Sequence, residues 1–334
     1  MIDSNNILGQ NDLAGYHAGR NGAALRDESH HGRLWLSGSD RIDFLQRLTS
    51  NEVRLGTGQG TVTVLTSASA RINVVFTLQI HEEGVLLIAG PGEGPRAYSH
   101  LSSQIFFNDQ VNIEGRGSVM AQFGLYGPRA TQVLAEAGVA QAADLAPFAW
   151  QPATVAGALI IVQRNEGLGS DGYILLAPAE TAETIRDLLI SVGATDLPEE
   201  AYDILRVESG VPAAGSELTD RVSPLEAGLR RFCDDHKGCY TGQEIIARQI
   251  TYDKVTTHLM GLYPQKPVTI QSPILANGRK IGWVSSSVHS LGLDRPIALG
   301  FLRRPFDEEN TQVIVDQTSG PVEAVVTTLP FLDA

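Results

Sequence analysis

The pattern of secondary-structure signals changes at Leu259, and this change limits the folds that the chain can adopt. Before Leu259, β-branched runs alternate with stretches of helical periodicity, which is typical of α+β units. After it, the chain consists of short apolar runs separated by Pro and Gly, at residues 260–263, 281–288, 297–302 and 313–315. Such closely spaced short runs predict a small β-barrel or sandwich.

The part before Leu259 contains two successive cycles of strands and helices. In the first cycle, Asp40 is expected to cap a helix whose apolar residues recur at helical spacing. The other expected segments are strands at 34–36, 61–65, 74–80, 85–88, 119–126, 158–164 and 173–176 and helices at 98–107, 129–137, 180–192 and 199–210. The predicted fold class is therefore α+β, with two related α+β units before the C-terminal β-rich part.

Charge and cysteine content limit the partners and the compartment. The chain has 25 Lys and Arg against 38 Asp and Glu, whereas proteins that bind nucleic acids concentrate positive charge. Its only cysteines, Cys233 and Cys239, favour a reducing compartment over a disulfide-stabilised secreted fold. Residues 1–10 lack the features of a signal peptide, and apolar stretches such as 155–162 are too short to span a bilayer. We expect a cytoplasmic protein without a direct nucleic-acid or membrane partner.

One segment carries the strongest functional signal. It consists of Lys237, Gly238, Cys239, Tyr240, Thr241, Gly242, Gln243 and Glu244. Glycines on both sides of a cysteine indicate a sharp turn that leaves the thiol accessible. Positive charge from His236, Lys237 and Arg248 would lower the pKa of this thiol, while Asp234 and Asp235 would oppose that effect. Cys239 is thus a candidate functional thiol, with Lys237 as its candidate partner.

Two other interpretations of Cys239 remain open from the residues alone. Free cysteines are among the most buried residue types, so Cys239 is equally well explained as a small core residue. A metal site can also be built, because Cys233, His236 and Cys239 are spaced three residues apart. Three ligands fall short of the four that structural zinc takes, and an iron–sulfur cluster typically needs four thiolates. We therefore expect no metal bound by this segment.

The eight-residue segment resembles the signature of the YgfZ-type folate-binding proteins, whose mitochondrial relatives assist iron–sulfur cluster assembly. Other segments resemble the pattern shared with the glycine-cleavage aminomethyltransferases, namely residues 26–30, 32–34, 38–41, 44–53, 127–130, 205–210 and 224–229. The resemblance implies an aminomethyltransferase-like arrangement of three domains around a central cavity. The first α+β domain would be discontinuous, with residues 1–55 and about 116–240. Residues 56–115 would form the second α+β domain, and 241–334 the β-barrel.

The same resemblance implies a site for tetrahydrofolate or a derivative. Glu208, in the Leu-Arg-x-Glu-x-Gly segment, matches the glutamate that receives the pterin ring, and a carboxylate suits its adjacent N–H groups. Asn51 would line the same cavity. A basic rim is needed for the carboxylates of the glutamyl tail, and Arg248 is a candidate together with Lys237, Arg230 and Arg231.

One departure from the aminomethyltransferase pattern bears on the chemistry. These enzymes carry an aspartate in the stretch that corresponds to residues 69–75, where this chain has Asn73 and Val74. Neither side chain can act as a general base near neutral pH. The resemblance then implies a tetrahydrofolate-binding accessory factor for iron–sulfur cluster assembly or repair in client proteins, including tRNA-modifying enzymes. The alternatives are a folate-dependent aminomethyltransferase or demethylase that uses another residue, and a folate-independent interaction scaffold.

Overall fold

The computed structural model describes residues 9–332, so most of the segment considered for a signal peptide lies outside the described residues. The strands are β1 (Ala24–Asp27), β2 (His31–Ser37), β3 (Gly60–Thr66), β4 (Ile72–Ile80), β5 (Gly84–Pro91), β6 (Asn112–Gly115), β7 (Met120–Tyr126), β8 (Trp150–Val155), β9 (Ala158–Glu166), β10 (Asp171–Pro178), β11 (Thr195–Asp196), β12 (Thr257–Pro264), β13 (Pro273–Ala276), β14 (Arg279–Ser290), β15 (Arg295–Arg303), β16 (Gln312–Val315) and β17 (Val322–Thr327). The helices are α1 (Gln10–Asn21), α2 (Arg41–Leu48), α3 (Gly94–Ser102), α4 (Ala130–Glu136), α5 (Ala182–Ser191), α6 (Glu199–Glu208) and α7 (Gln243–Thr251).

The first sheet has the strand order β11-β1-β7-β10-β9-β8, and only β1 and β11 pair in parallel. Its core lies between the sheet and helices α4 and α5. Ile185 and Leu189, one turn apart on α5, are completely buried there. This spacing puts both side chains on the face that meets the sheet, so burial of an amphipathic face fixes the helix in place.

The second sheet is antiparallel throughout, in the order β3-β4-β5-β2-β6. Along β4, Val74, Phe76 and Leu78 alternate with partly exposed residues and are fully buried. The two-residue period places them on one face, against the apolar side of α2. The other face of β4 carries Asn73, Val75 and Thr77.

The C-terminal strands close into a barrel in the order β12-β15-β14-β13-β16-β17. Its interior is filled by aliphatic side chains such as Leu262, Ile274, Val284 and Val326, which are all completely buried. Closure leaves no free sheet edge. The α+β fold class and the C-terminal barrel are confirmed, and the barrel replaces the sandwich alternative.

Two local expectations need correction. The helix expected at 98–107 is α3, Gly94–Ser102, which begins earlier because Pro95 suits a first helical turn. It ends at Ser102, where the Ser103 hydroxyl donates to His100 O at 2.7 Å, and beyond it the Asp109 carboxylate accepts the Phe106 N–H. Asp40 does precede α2, but its carboxylate accepts the Gln110 N–H at 2.8 Å and makes no bond to the helix.

Sheet membership differs from the expected division of the chain at one point. The expectation grouped residues 1–55 with the first unit, but β2 pairs with β5 and β6 of the second sheet. Helix α2 also contributes to the core of that sheet. The chain crosses between sheets at residues 28–30, and Gly32 then permits contact with Gly94, whose Cα lies 2.6 Å from the position of a Cβ at residue 32. The other domain boundaries stay a prediction.

Candidate functional site

A cavity of about 1170 Å³ lies where the three sheets approach one another. The first sheet contributes Ile174, the second contributes Val75 and Ile88, and the barrel contributes Leu259. Connecting segments after α6 and before α7 complete the wall, including Phe232. A cavity of this size, whose wall combines apolar side chains with charged and polar ones, is typical of a ligand site.

The polar part of the wall is organised by Glu28. Its Oε1 accepts from the Tyr126 hydroxyl at 2.5 Å and from Arg26 at 3.2 Å, and its Oε2 accepts from Gln122 Nε2 at 3.0 Å. Arg26 also pairs with Glu199 at 2.6 Å. Burial and the neighbouring Glu28 carboxylate raise the pKa of Tyr126, so its hydroxyl stays protonated and donates. The network holds all of these side chains in one orientation.

Sequence reasoning did not identify this network as part of the site. Arg26 and Glu28 were noted only within a segment of family resemblance. The available signal was their position, since charged residues that come soon after the apolar Ala24 and Leu25 have to be paired if they are buried. Gln122, the amide partner of Glu28, lies 94 residues from it in the chain, and no local pattern joins the two.

Glu93 and Glu166 are among the other carboxyl groups that line the cavity. Burial raises the pKa of Glu93, which precedes α3, and the nearby Arg96 lowers it less. Burial also raises the pKa of Glu166, which pairs with Arg231. The face of β4 that carries Val75 and Thr77 also carries Asn73, and the Asn73 Nδ2 has no partner in the described residues.

Residues 237–242 form a tight loop against the second sheet, and Gln243 and Glu244 begin α7. Thr241 N donates to Arg47 O at 3.2 Å, and Thr66 Oγ1 donates to Thr241 O at 2.5 Å. Gly242 adopts a φ of +84°, and a Cβ there would lie 2.6 Å from Ser67 O. Only glycine fits this position without strain. Helix α7 follows directly, and its Gln243 donates to Lys237 O at 3.2 Å.

Lys237 fixes this loop to the chain after α2. Its Nζ donates to Thr49 O at 2.8 Å and to Asn51 O at 2.5 Å, and it lies 5.3 Å from the centre of the Tyr240 ring. Burial lowers the pKa of Lys237 to about 8, although Glu52 and Asp234 oppose this shift. The sequence did not predict that the Lys237 amine contacts these two backbone carbonyls.

The two cysteines, Arg248 and Asn51 differ in their exposure and in their contacts. Cys239 is exposed and Cys233 buried, both thiols are free, and burial raises the pKa of Cys233 to about 11. Arg248 is exposed and pairs with Glu244 at 2.6 Å. Asn51 Nδ2 donates to Thr61 Oγ1 at 2.9 Å and to Val62 O at 2.8 Å.

Glu208 is completely buried at the end of α6. Its carboxylate accepts from Tyr16 at 2.9 Å, from Ser290 at 2.5 Å and from Gly292 N at 3.2 Å. Burial and this carboxylate raise the pKa of Tyr16. Glu208 thus joins α1 and α6 to the barrel. Glu208, Asn51, Lys237 and Arg248 are not among the residues that line the cavity. Of the residues proposed for the basic rim, Arg231 does line it.

Replacing Lys237 with methionine should lower the free energy of unfolding by about 2 kcal/mol, because two carbonyls near the buried Thr49 lose their donor. Methionine keeps the apolar stem against Tyr240. The measurement is urea unfolding followed by circular dichroism. Arg248→Met is the matched control and should change stability by less than about 0.5 kcal/mol, because its ion pair is exposed. Equal stability of the two variants would show that Lys237 does not hold the loop.

No group of three or more potential metal ligands occurs within residues 9–332. Within the same range, no helix combines the length and apolar character needed to cross a membrane.

The sequence matches two family descriptions. The GCVT N-terminal domain covers residues 10–237, and the glycine cleavage T-protein C-terminal barrel domain covers residues 258–333.

Similar proteins span nearly the whole chain. The protein named "Putative transferase At1g60990, chloroplastic", from Arabidopsis thaliana, is 29% identical over 323 residues, covering 96% of this chain and 74% of that protein. The aminomethyltransferase of Moorella thermoacetica is 30% identical over 321 residues, covering 93% of this chain and 87% of that enzyme. The crystal structure of glycine cleavage system aminomethyltransferase T from Bartonella henselae superposes with a TM-score of 0.85 at 23% identity, covering 96% and 90% of the two chains. This last likeness concerns the fold.

Proposed function

Since the chain belongs to the glycine-cleavage T-protein family, we propose that it binds tetrahydrofolate or a derivative in its central cavity. In this proposal the folate-bound protein is an accessory factor for iron–sulfur cluster assembly or repair in client enzymes, including tRNA-modifying ones. The observation that carries the proposal is the combination of the cavity with an exposed, free Cys239 on a separate loop that is anchored by hydrogen bonds.

The cavity suits a flat ring with a polar edge and an acidic tail. Its volume of about 1170 Å³ lies somewhat above the range of about 300 to 1,000 Å³ that is typical of small-molecule sites. Apolar residues such as Val62, Val75 and Ile88 offer surfaces for a ring. Arg231, which lines the cavity and is paired with Glu166, is the candidate for a tail carboxylate.

The thiol loop supports the accessory role. A functional thiol has to be accessible, and Cys239 is exposed while Lys237, Tyr240 and Thr241 anchor the loop beneath it. The free state of both cysteines fits a reducing, cytoplasmic setting. Asn73 and Val75, on the cavity side of β4, offer no carboxylate for one-carbon transfer from that strand.

Replacing Cys239 with serine should abolish support of client enzymes without affecting folate affinity, because the exposed thiol is lost and the cavity is unchanged. The measurement has two parts: tetrahydrofolate binding by calorimetry, and the activity of iron–sulfur enzymes in cells whose own copy of the gene is deleted. Cys233→Ala is the matched control, since it removes a buried thiol, and it should restore client activity.

The outcomes separate the accessory factor from the folate-independent scaffold. If the wild-type protein binds no tetrahydrofolate but still needs Cys239 to support clients, it is a folate-independent scaffold. If Cys239→Ser supports clients fully, the accessory role of this thiol is wrong.

Folate-dependent one-carbon transfer is the second candidate function, and Glu93 favours it. This carboxyl group lines the cavity, and burial raises its pKa above the ordinary value, the direction that favours a role in proton transfer. The reaction would move a methylene group from an aminomethyl donor to tetrahydrofolate and release ammonia. Ammonia release by the wild-type protein and its loss in Glu93→Gln would establish this function in place of the accessory role.

A further inference from the structure

Four residues that line the cavity each have a buried polar atom without a partner among the described residues. These atoms are His31 Nε2, Gln122 Oε1, Ser170 Oγ and Ser209 Oγ. A buried donor or acceptor that stays unpaired costs roughly 1 to 3 kcal/mol. Folded proteins pair nearly all such atoms, with protein, water or ligand. Their concentration around one cavity indicates hydrogen-bonding capacity kept for a molecule that enters it.

The hydrogen-bond roles of Gln122 and His31 follow from their neighbours. Glu28 Oε2 can only accept, so the Gln122 amide points its nitrogen at Glu28 and its oxygen elsewhere. The same nitrogen lies 3.4 Å from His31 Nδ1. The Gln122 Nε2–H therefore makes Nδ1 an acceptor, and the hydrogen of a neutral His31 ring is on Nε2. The amide and the ring thus present one free acceptor and one free donor.

His31 is neutral near pH 7. Burial lowers its pKa to about 4, and His30, Arg26 and Arg33 act in the same direction, against Glu28. Both oxygens of Glu28 already accept hydrogen bonds from Tyr126, Arg26 and Gln122. The wall therefore offers an incoming ligand a neutral pair of groups at this point.

We propose that Gln122 Oε1 and His31 Nε2–H together recognise a lactam edge, an N–H beside a C=O, on a flat neutral heterocycle. The ligand N–H donates to Gln122, and the ligand carbonyl accepts from His31. This inference rests on the proposed folate site, where the matching group is the 4-oxo edge of the reduced pterin. Glu28 acts as a positioning residue, because it orients the Gln122 amide.

The test compares a tetrahydropterin that carries the 4-oxo group with its 4-amino analogue, in which donor and acceptor are exchanged along the same edge. The wild-type protein should bind the 4-oxo compound at least about tenfold more tightly, since mispairing one buried group costs about 1.4 kcal/mol or more. Gln122→Met and His31→Phe should each bring the ratio of the two dissociation constants close to one. Thr77→Val, at another cavity-lining residue, should keep the wild-type ratio.

A second measurement uses the wild-type protein, so its result does not depend on whether a substituted protein folds. With ¹⁵N-labelled histidine, the NMR signals of His31 should show the Nε2–H form at pH 7, and they should shift when the 4-oxo compound binds. Equal affinity for both compounds, or a hydrogen on Nδ1, overturns the lactam inference and leaves the folate site standing. Failure of both the tetrahydropterin and tetrahydrofolate to bind overturns the folate site together with the inference.

Discussion

Replacing Glu208 with alanine should lower the free energy of unfolding by about 3 to 5 kcal/mol, the usual cost of breaking a buried, fully bonded charged group. The carboxylate accepts three hydrogen bonds from α1 and the barrel, through Tyr16, Ser290 and Gly292. Its removal leaves the buried Tyr16 and Ser290 hydroxyls without this acceptor and opens a cavity. The measurement is denaturant unfolding followed by circular dichroism, with tetrahydrofolate affinity determined where the variant is folded.

Two companion variants make this result specific. Glu200→Ala changes an exposed glutamate on the same helix and should cost less than about 0.5 kcal/mol. Tyr16→Phe removes one donor but keeps the ring, and it should cost about 1 to 2 kcal/mol. If Glu208→Ala keeps wild-type stability and loses tetrahydrofolate affinity, Glu208 receives the pterin as the family resemblance implies. In that case its contacts with Tyr16 and Ser290 are dispensable.

The fold was largely predictable because its signals are local. Alternating burial on β4, the helical spacing on α5 and the Pro and Gly between barrel strands each depend on residues close in the chain. The assignment of β2 to the second sheet was not predictable in this way. It depends on a turn at residues 28–30 that carries the chain from one sheet to another, and on the contact between Gly32 and Gly94.

The site was less predictable because its contacts join distant parts of the chain. Glu208 bonds to Tyr16, 192 residues earlier, and Lys237 bonds to Thr49, 188 residues earlier. In sequence, Lys237 is two residues from Cys239, which suggested that its charge serves the thiol. The fold directs its amine to two carbonyls instead. Residue type alone predicts that a glutamate is exposed. The burial of Glu208 therefore cannot be predicted from its neighbours in the sequence.

Lowering the pH from 7 to about 4.5 should destabilise the protein, with His81 contributing up to about 3 kcal/mol. Burial lowers the pKa of His81 from 6.5 to about 4 in the folded protein. Between these two values the unfolded chain binds more protons than the folded one, so stability falls as the pH falls. The contribution of His81 is fully present above pH 6.5 and is lost as the pH approaches 4. Urea unfolding at several pH values measures it.

The ring environment of His81 provides the variant that isolates this effect. Its imidazole stacks on Trp150 at 3.9 Å and meets the edge of Trp35 at 5.1 Å, and phenylalanine preserves both contacts without a titrating group. His81→Phe should therefore lose part of the slope of stability against pH and keep the part due to His31, whose pKa is lowered in the same way. His236→Phe is the control, because its side chain is 94% exposed, and it should keep the wild-type slope. An unchanged slope in His81→Phe would mean that His81 accepts a proton without loss of the aromatic stack. The two tryptophans would then hold a charged imidazole, through the cation–π attraction that a desolvated site strengthens.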